Sequence, residues 1–180
     1  MQSIVNGRTY GLATVAGLIS GCLVHTTLVA FGVSAIIKES DTLFFIIKLL
    51  GALYLLFLAF KVYKSSAELS LNSENIPKKS VSQLFKQGFI MNVLNPKVSI
   101  FFLAFFPGFL FSETLSSVVQ FYTLGLLFML VSAIIFSTIA ILAGSISEVL
   151  KQNKRIGLYL KWLQIIVFVG IAILIFTSEK

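Results

Sequence analysis

The sequence predicts an all-α integral membrane protein with five transmembrane helices, and three observations support that class. Hydrophobic residues make up 57% of the 180 and charged residues 12%, against about 25% charged in ordinary soluble domains. The apolar residues gather into five stretches, each close to or above the roughly 20 residues that a helix needs to cross about 30 Å of hydrocarbon. Most Lys and Arg residues sit between these stretches, where they orient a membrane protein, so the net charge of +7 points to the bilayer and away from nucleic acid.

The first span, residues 10–37, is too long for a signal peptide and has no short apolar core followed by a small-residue cleavage site, so it stays in the membrane. Along it Ala13, Gly17, Gly21 and His25 recur at steps of four and share one face. Small residues let a neighbouring backbone approach closely, and Gly17 with Gly21 forms a GxxxG packing pattern. His25, the only histidine, lies roughly mid-membrane, as a proton carrier near neutral pH would or as a neutral ring bonded to a carbonyl would. Cys22 is the only cysteine, which excludes a disulfide framework and a CxxC redox pair.

The second span, residues 43–63, places Lys48, Ala52, Leu55 and Ala59 on one face with Gly51 beside it. Lys48 is about 8 Å in from Leu43, within snorkelling reach of the outer interface. A polar connection over 64–83, rich in Ser, Asn and Lys, separates the chain into a first half (1–63) and a second (84–180).

The third span, residues 85–111, is 27 residues long, about 40 Å if straight, and contains Asn95-Pro96-Lys97. Asn95 can cap a new helix whose first residue is Pro96, the position where the missing N–H does no harm. A helix broken there aims freed N–H groups, positive in effect, at the cavity it lines, and Lys97 adds a full charge suited to a carboxylate. The alternative is that residues 85–94 lie at the membrane surface, the span starts at Pro96 and Lys97 reaches the cytoplasmic headgroups. Pro107-Gly108 marks a kink or a terminus.

The fourth and fifth spans cover residues 118–146 and 158–176. The span interiors carry no Asp or Glu, which argues against a carboxylate relay; metal ligands are lacking, no cofactor is implied, and no nucleophile can be paired with a base, so an enzyme is excluded.

With the amino terminus in the cytoplasm, ten of the fourteen Lys and Arg residues fall inside: Arg8, Lys61, Lys64, Lys78, Lys79, Lys86, Lys151, Lys154, Arg155 and Lys161. Only Lys38 and Lys180 fall outside, so the carboxyl terminus is placed outside. The second and fifth spans align without a gap, Lys48 over Lys161, yet cross in opposite directions. A weak repeat of opposite orientation marks inverted-topology transporters, whose halves hold an odd number of helices; two plus three spans then leave one helix missing before the first.

GLATVAGLISGCLVHTTLVAFGVSAII, LFFIIKLLGALYLLFLAFKVYKS and GFIMNVLNPKVSIFFLAFFPGF, in that order, resemble the LysE/RhtB superfamily of amino-acid exporters, with its Gly-rich second helix, its LKxxGAxYLxxLxxK-like third and the NxxNPK signature opening the fourth. The resemblance implies two inverted three-helix halves in the inner membrane. It also implies export of amino acids or small derivatives from the cytoplasm, driven by an ion gradient that we read as protons. Carried over residue by residue, it puts Asn92, Asn95, Pro96 and Lys97 at the broken-helix motif, adds Lys48 and Tyr54 of the next-to-last motif to the substrate pathway, and keeps Gly17 and Gly21 for packing. The family's first helix, with Pro-Gly-Pro, has no counterpart, and NGRTYGL at residues 6–12 resembles the loop that follows it. The expectation is therefore a chain without that helix, with an open groove beside Gly17 and Gly21, and the alternative function is a non-transporting membrane protein that assists assembly or regulation. The expected partners are a small-molecule substrate and the bilayer; a homo-oligomer is compatible with the sequence, which does not fix the copy number.

Overall fold

The computed structural model describes residues 2–66, 79–143, 145–146 and 155–177, which are helices joined by short connections with no strand among them. A short α1 (Gln2–Val5) precedes α2 (Arg8–Leu28), a π-helical segment (Val29–Val33) and α3 (Ser34–Glu39). Then come α4 (Asp41–Lys64), α5 (Val81–Val93), α6 (Pro96–Phe105), a 3-10 turn (Phe106–Phe109), α7 (Ser117–Ile141) and α8 (Arg155–Thr177). Four stretches are long and apolar enough to cross a membrane singly, and α5 with α6 and its turn makes a fifth, bent by 54°. Most of the polar connection expected over 64–83 lies outside the described residues, while Ser80 caps α5 and residues 81–83 form its first turn. The fourth span ends at Ile141, earlier than expected.

Helix starts follow their local chemistry. Ser40 Oγ accepts from Leu43 N–H at 3.2 Å and opens α4. Ser80 and Gln83 form a reciprocal capping box at 3.2 and 2.9 Å, and Ser116 Oγ caps α7. The apolar surfaces left over are large: Leu126, Leu130, Ile134, Ile135 and Ile139 on α7, and Leu163, Ile166 and Ile173 on α8, are all exposed. Contiguous apolar faces of this size belong against lipid.

Two cores hold the bundle together. The first joins Cys22, Val29, Ala30 and Val33 of the first span to Phe44, Phe102, Phe106 and Phe121. The second joins Ala52, Leu55 and Ala59 of α4 to Phe168, Ala172 and Ile175 of α8, with Ala104 of α6. Thus α6 is a wall shared by both, presenting Phe102 to one and Ala104 to the other, and its Ala104 methyl fills the space that a side chain at Gly51 would need.

The α4–α8 seam is antiparallel, since Lys161 near the start of α8 reaches Ser65 at the end of α4. Its packing positions repeat at the Lys48-to-Lys161 offset of 113 residues: Ala52 matches Ile165, Leu55 matches Phe168, Leu58 matches Ile171, Ala59 matches Ala172 and Val62 matches Ile175, and all ten face the seam. This is the pattern of a two-fold contact, in which the same positions on both partners meet.

Candidate functional site: a broken membrane span

The break between α5 and α6 follows from one missing atom. In a continuous helix the carbonyl of Asn92 would accept from the N–H four residues on, which is Pro96, and proline has none. The chain turns instead: Asn95 is extended at φ −83°, ψ 107°, and its Oδ1 accepts from Lys97 N–H at 3.0 Å, with Pro96 in the first turn of α6. The Asn95 carbonyl accepts from Val98 and Ser99 N–H at 3.1 Å each and from Ser99 Oγ–H at 3.2 Å.

The Asn92 carbonyl finds two other donors. Asn95 N–H reaches it at 3.0 Å, and His25 Nε2, from α2 and 67 residues away in sequence, lies 3.1 Å from it. A carbonyl only accepts, so Nε2 carries the hydrogen, and His25 takes the place of the N–H that Pro96 lacks. The ring is buried, 2% exposed, and rests 5.5 Å from the Phe102 ring at a tilt of 36°. A donor at a helix C-terminus also answers the partial negative charge there.

The Asn92 side chain turns toward α2. Its Nδ2 is 3.7 Å from Cys22 Sγ, its Oδ1 is buried without a hydrogen bond, and a Cβ at Gly21 would come within 2.7 Å of that oxygen. Ala13, Gly17, Gly21 and His25 all lie on the buried face of α2. A side chain at Gly17 would strike the backbone of Phe85 and Phe89, and one at Gly88 the backbone of Thr14 and Leu18. The expected open groove beside Gly17 and Gly21 is therefore corrected: α5 is seated in it, because small residues on both helices allow backbone contact.

Lys97 points the other way. Its Nζ lies 4.2 Å from the centroid of the Phe168 ring, a cation–π contact worth about 2 kcal/mol when desolvated. Phe168 is 13 residues along the 23-residue α8, about 20 Å from that helix's first residue, so the ammonium sits near mid-span, away from the headgroups. The side chains of Asn92, Asn95 and Lys97 therefore turn to different neighbours. Asn92 serves α2, Asn95 closes the turn, and Lys97 addresses α8. The N–H groups of the first turn of α6 are likewise not free, because the Asn95 side chain and carbonyl take them.

The remaining expected residues are not gathered at the break. Lys48 Nζ lies 5.7 Å from the Phe44 ring centroid and lines a small pocket with Phe45, Leu49, Ile175 and Phe176. Tyr54 is partly buried, its ring 6.2 Å from that of Phe57. No group of three or more metal-ligating side chains occurs among the described residues. Sequence reasoning missed Phe168 as the partner of Lys97, and it missed Gln120. The buried Gln120 accepts from Phe111 and Ser112 N–H at 2.7 and 2.9 Å and donates to the Ser112 and Leu115 carbonyls at 2.8 and 2.9 Å, fixing the turn before α7. A lone Gln in an apolar run was the available signal, since such a group needs all its bonds met.

Comparison with known proteins adds three findings. Residues 1–179 match the family model of the LysE type translocators. The chain is 30% identical over 156 residues to an uncharacterized membrane protein of Vibrio cholerae, covering 84% of this chain and 75% of that one. It is 29% and 30% identical over 153 residues to homoserine/homoserine lactone efflux proteins of Salmonella typhimurium and Salmonella typhi, covering 85% of this chain and 73% of each. No solved structure matches it.

Proposed function

The chain belongs to the LysE type translocators, and on that premise we propose that it exports an amino acid or small amino-acid derivative, of the homoserine class that the named relatives carry. A translocator moves its substrate without converting it, so the polar groups need only recognise and release. The observation that carries the reading is the span broken by 54° at Asn95-Pro96, with an ammonium at mid-depth over Phe168. A lysine there costs about 2.5 to 3.5 kcal/mol to insert, and binding the carboxylate of each substrate in turn gives it a use. Lys97 pairs with that carboxylate, and the α6 dipole adds to the attraction.

Export is coupled to protons in this reading, with His25 as the carrier. Its Nε2–H is committed to the Asn92 carbonyl, so uptake falls to Nδ1, and the charge arrives beside the break. Support for two inverted halves comes from the seam positions that recur at the 113-residue offset. The Lys and Arg distribution supports a multi-pass inner-membrane protein with its amino terminus in the cytoplasm.

The test is efflux from proteoliposomes loaded with radiolabelled homoserine or threonine, under an imposed pH gradient and without one. Faster efflux under the gradient, abolished in Lys97→Ala, is the expected outcome. A wild-type protein that moves neither compound nor any other amino acid would leave the scaffold reading, assembly or regulation, in its place.

A further inference from the structure

Gln164 is a polar group of α8 that neither packing nor capping accounts for. From Leu163 to Phe176 it is the one residue that is neither apolar nor glycine. It stands nine residues beyond Arg155, about 14 Å along a helix of about 35 Å, and so lies within the hydrocarbon. The residue is exposed and makes no hydrogen bond among the described residues, in contrast to Gln120, whose four bonds tie down a turn. An amide facing lipid with its donors and acceptor unmet is costly, and polar groups at such depth line a cavity or meet a polar partner.

The seam shows where that cavity lies. At the 113-residue offset the counterpart of Gln164 is Gly51, against which the Ala104 methyl of α6 packs. The two-fold axis of an antiparallel pair is perpendicular to the plane of the two helices, so equivalent flanking positions lie on one face of the pair. Thus α6 covers that face at Gly51, toward the Lys48 end, and leaves it open at Gln164, toward the Lys161 end. The start of α6 marks the boundary, since Lys97 rests on Phe168, one turn or about 6 Å along α8 from Gln164. A straight span would carry α5 on past Gln164; the 54° bend takes α5 to α2 instead. The break that holds Lys97 at mid-depth therefore also uncovers Gln164 beside it.

We infer that Gln164 is a specificity-determining residue of the substrate site, its Oε1 accepting from the α-ammonium of an amino acid whose carboxylate pairs with Lys97. The inference rests on the export reading and deepens it. An amino acid carries both charges on one carbon, so its ammonium arrives beside Lys97 and needs an acceptor there. The spans carry no Asp or Glu. A neutral amide suits the place better than a carboxylate, because an acid one turn from Phe168 would pair with Lys97 and take the cation away from the substrate. The amide leaves Lys97 free for the carboxylate, and a single hydrogen bond to the ammonium can be broken at each turnover.

The test compares equilibrium binding of homoserine and threonine to the full chain in lipid nanodiscs with binding of 4-hydroxybutanoate and 3-hydroxybutanoate, the same molecules without the amino group. The wild type is expected to prefer each amino acid at least tenfold over its counterpart. In Gln164→Met, which keeps the size and loses the acceptor, that preference is expected to collapse to within about twofold while the hydroxy acids bind as before, and Gln164→Asn is expected to restore part of it. A preference untouched in Gln164→Met would overturn the assignment and leave the export reading standing, and an equal loss for amino acids and hydroxy acids would make Gln164 structural and overturn it as well. A wild type that neither binds nor exports any amino acid would overturn the export reading and this assignment together. Access is checked without a substrate: in a Cys22→Ser background, Gln164→Cys is expected to react with a small hydrophilic thiol reagent at least tenfold faster than Ile166→Cys, whose position is 64% exposed on an apolar face. Equal rates would place Gln164 against lipid and overturn the inference.

Discussion

At the scale of single residues, the Asn92 carbonyl and the Lys97 ammonium divide the work of the break. Removing the His25 donor leaves that buried carbonyl with one bond of two, so His25→Leu is expected to destabilise the protein by about 1 to 3 kcal/mol, read from unfolding in detergent. His25→Gln keeps an N–H at similar reach and is expected to recover at least half of that loss. Gln cannot take up a proton, however, so efflux by this variant is expected to lose its dependence on pH. Wild-type pH dependence in the variant would remove His25 from the proton path and leave it as a structural donor. For Lys97 the charge matters more than the fit: Lys97→Ala is expected to abolish efflux while the protein still inserts, because the lysine opposes insertion. Undiminished efflux would exclude the carboxylate role.

At the scale of elements, Pro96→Ala returns the N–H that a continuous helix would give to the Asn92 carbonyl, and alanine is favoured in helix interiors. The 54° bend is expected to relax, lengthening the distance between spin labels at Lys86 and Phe109 by about 3 Å, and efflux is expected to fall. An unchanged distance would show that packing of α5 on α2 sets the bend by itself. That packing has its own test. Gly88→Leu sets a side chain against the Thr14 and Leu18 backbone and is expected to abolish folded protein, measured as monodisperse yield. The five spans and the break were legible in the sequence because long apolar runs and an Asn-Pro pair are local signals. Their partners were not. Helices such as α7 and α8 are apolar on every side, so no face announces what it packs against. The His25–Asn92 bond spans 67 residues, although counting back four from Pro96 identifies the carbonyl in need of a donor. The face of Gly17 and Gly21 was readable as close-packed, and the error lay in supposing an absent neighbour when α5 supplies one.

At the scale of the whole molecule, α2 packs on α5 and α7, while α4 packs on α8 and on α6. The broken span therefore runs from one group into the other, and Leu94 and Asn95 form its covalent link. Rocking of the groups against each other would turn α5 relative to α6 at the place where the substrate is proposed to sit, which is how alternating access operates. Orientation is checked by single cysteines in a Cys22→Ser background: Ser65→Cys is expected to react with an impermeant maleimide only from the cytoplasm, and Thr114→Cys only from outside. The reverse pattern would invert the direction of transport proposed here. The same interleaving governs how the protein is made. The helices leave the ribosome in chain order, yet α4 waits for its main partner until Arg155 and the residues after it emerge, more than ninety residues after Lys64. During that interval Ala52, Leu55 and Ala59 face lipid or a chaperone, and α2 can already settle against α5. The seam is thus the last joint to close in biosynthesis, and a chain stopped before Arg155 is expected to insert four spans and then be cleared by membrane proteases.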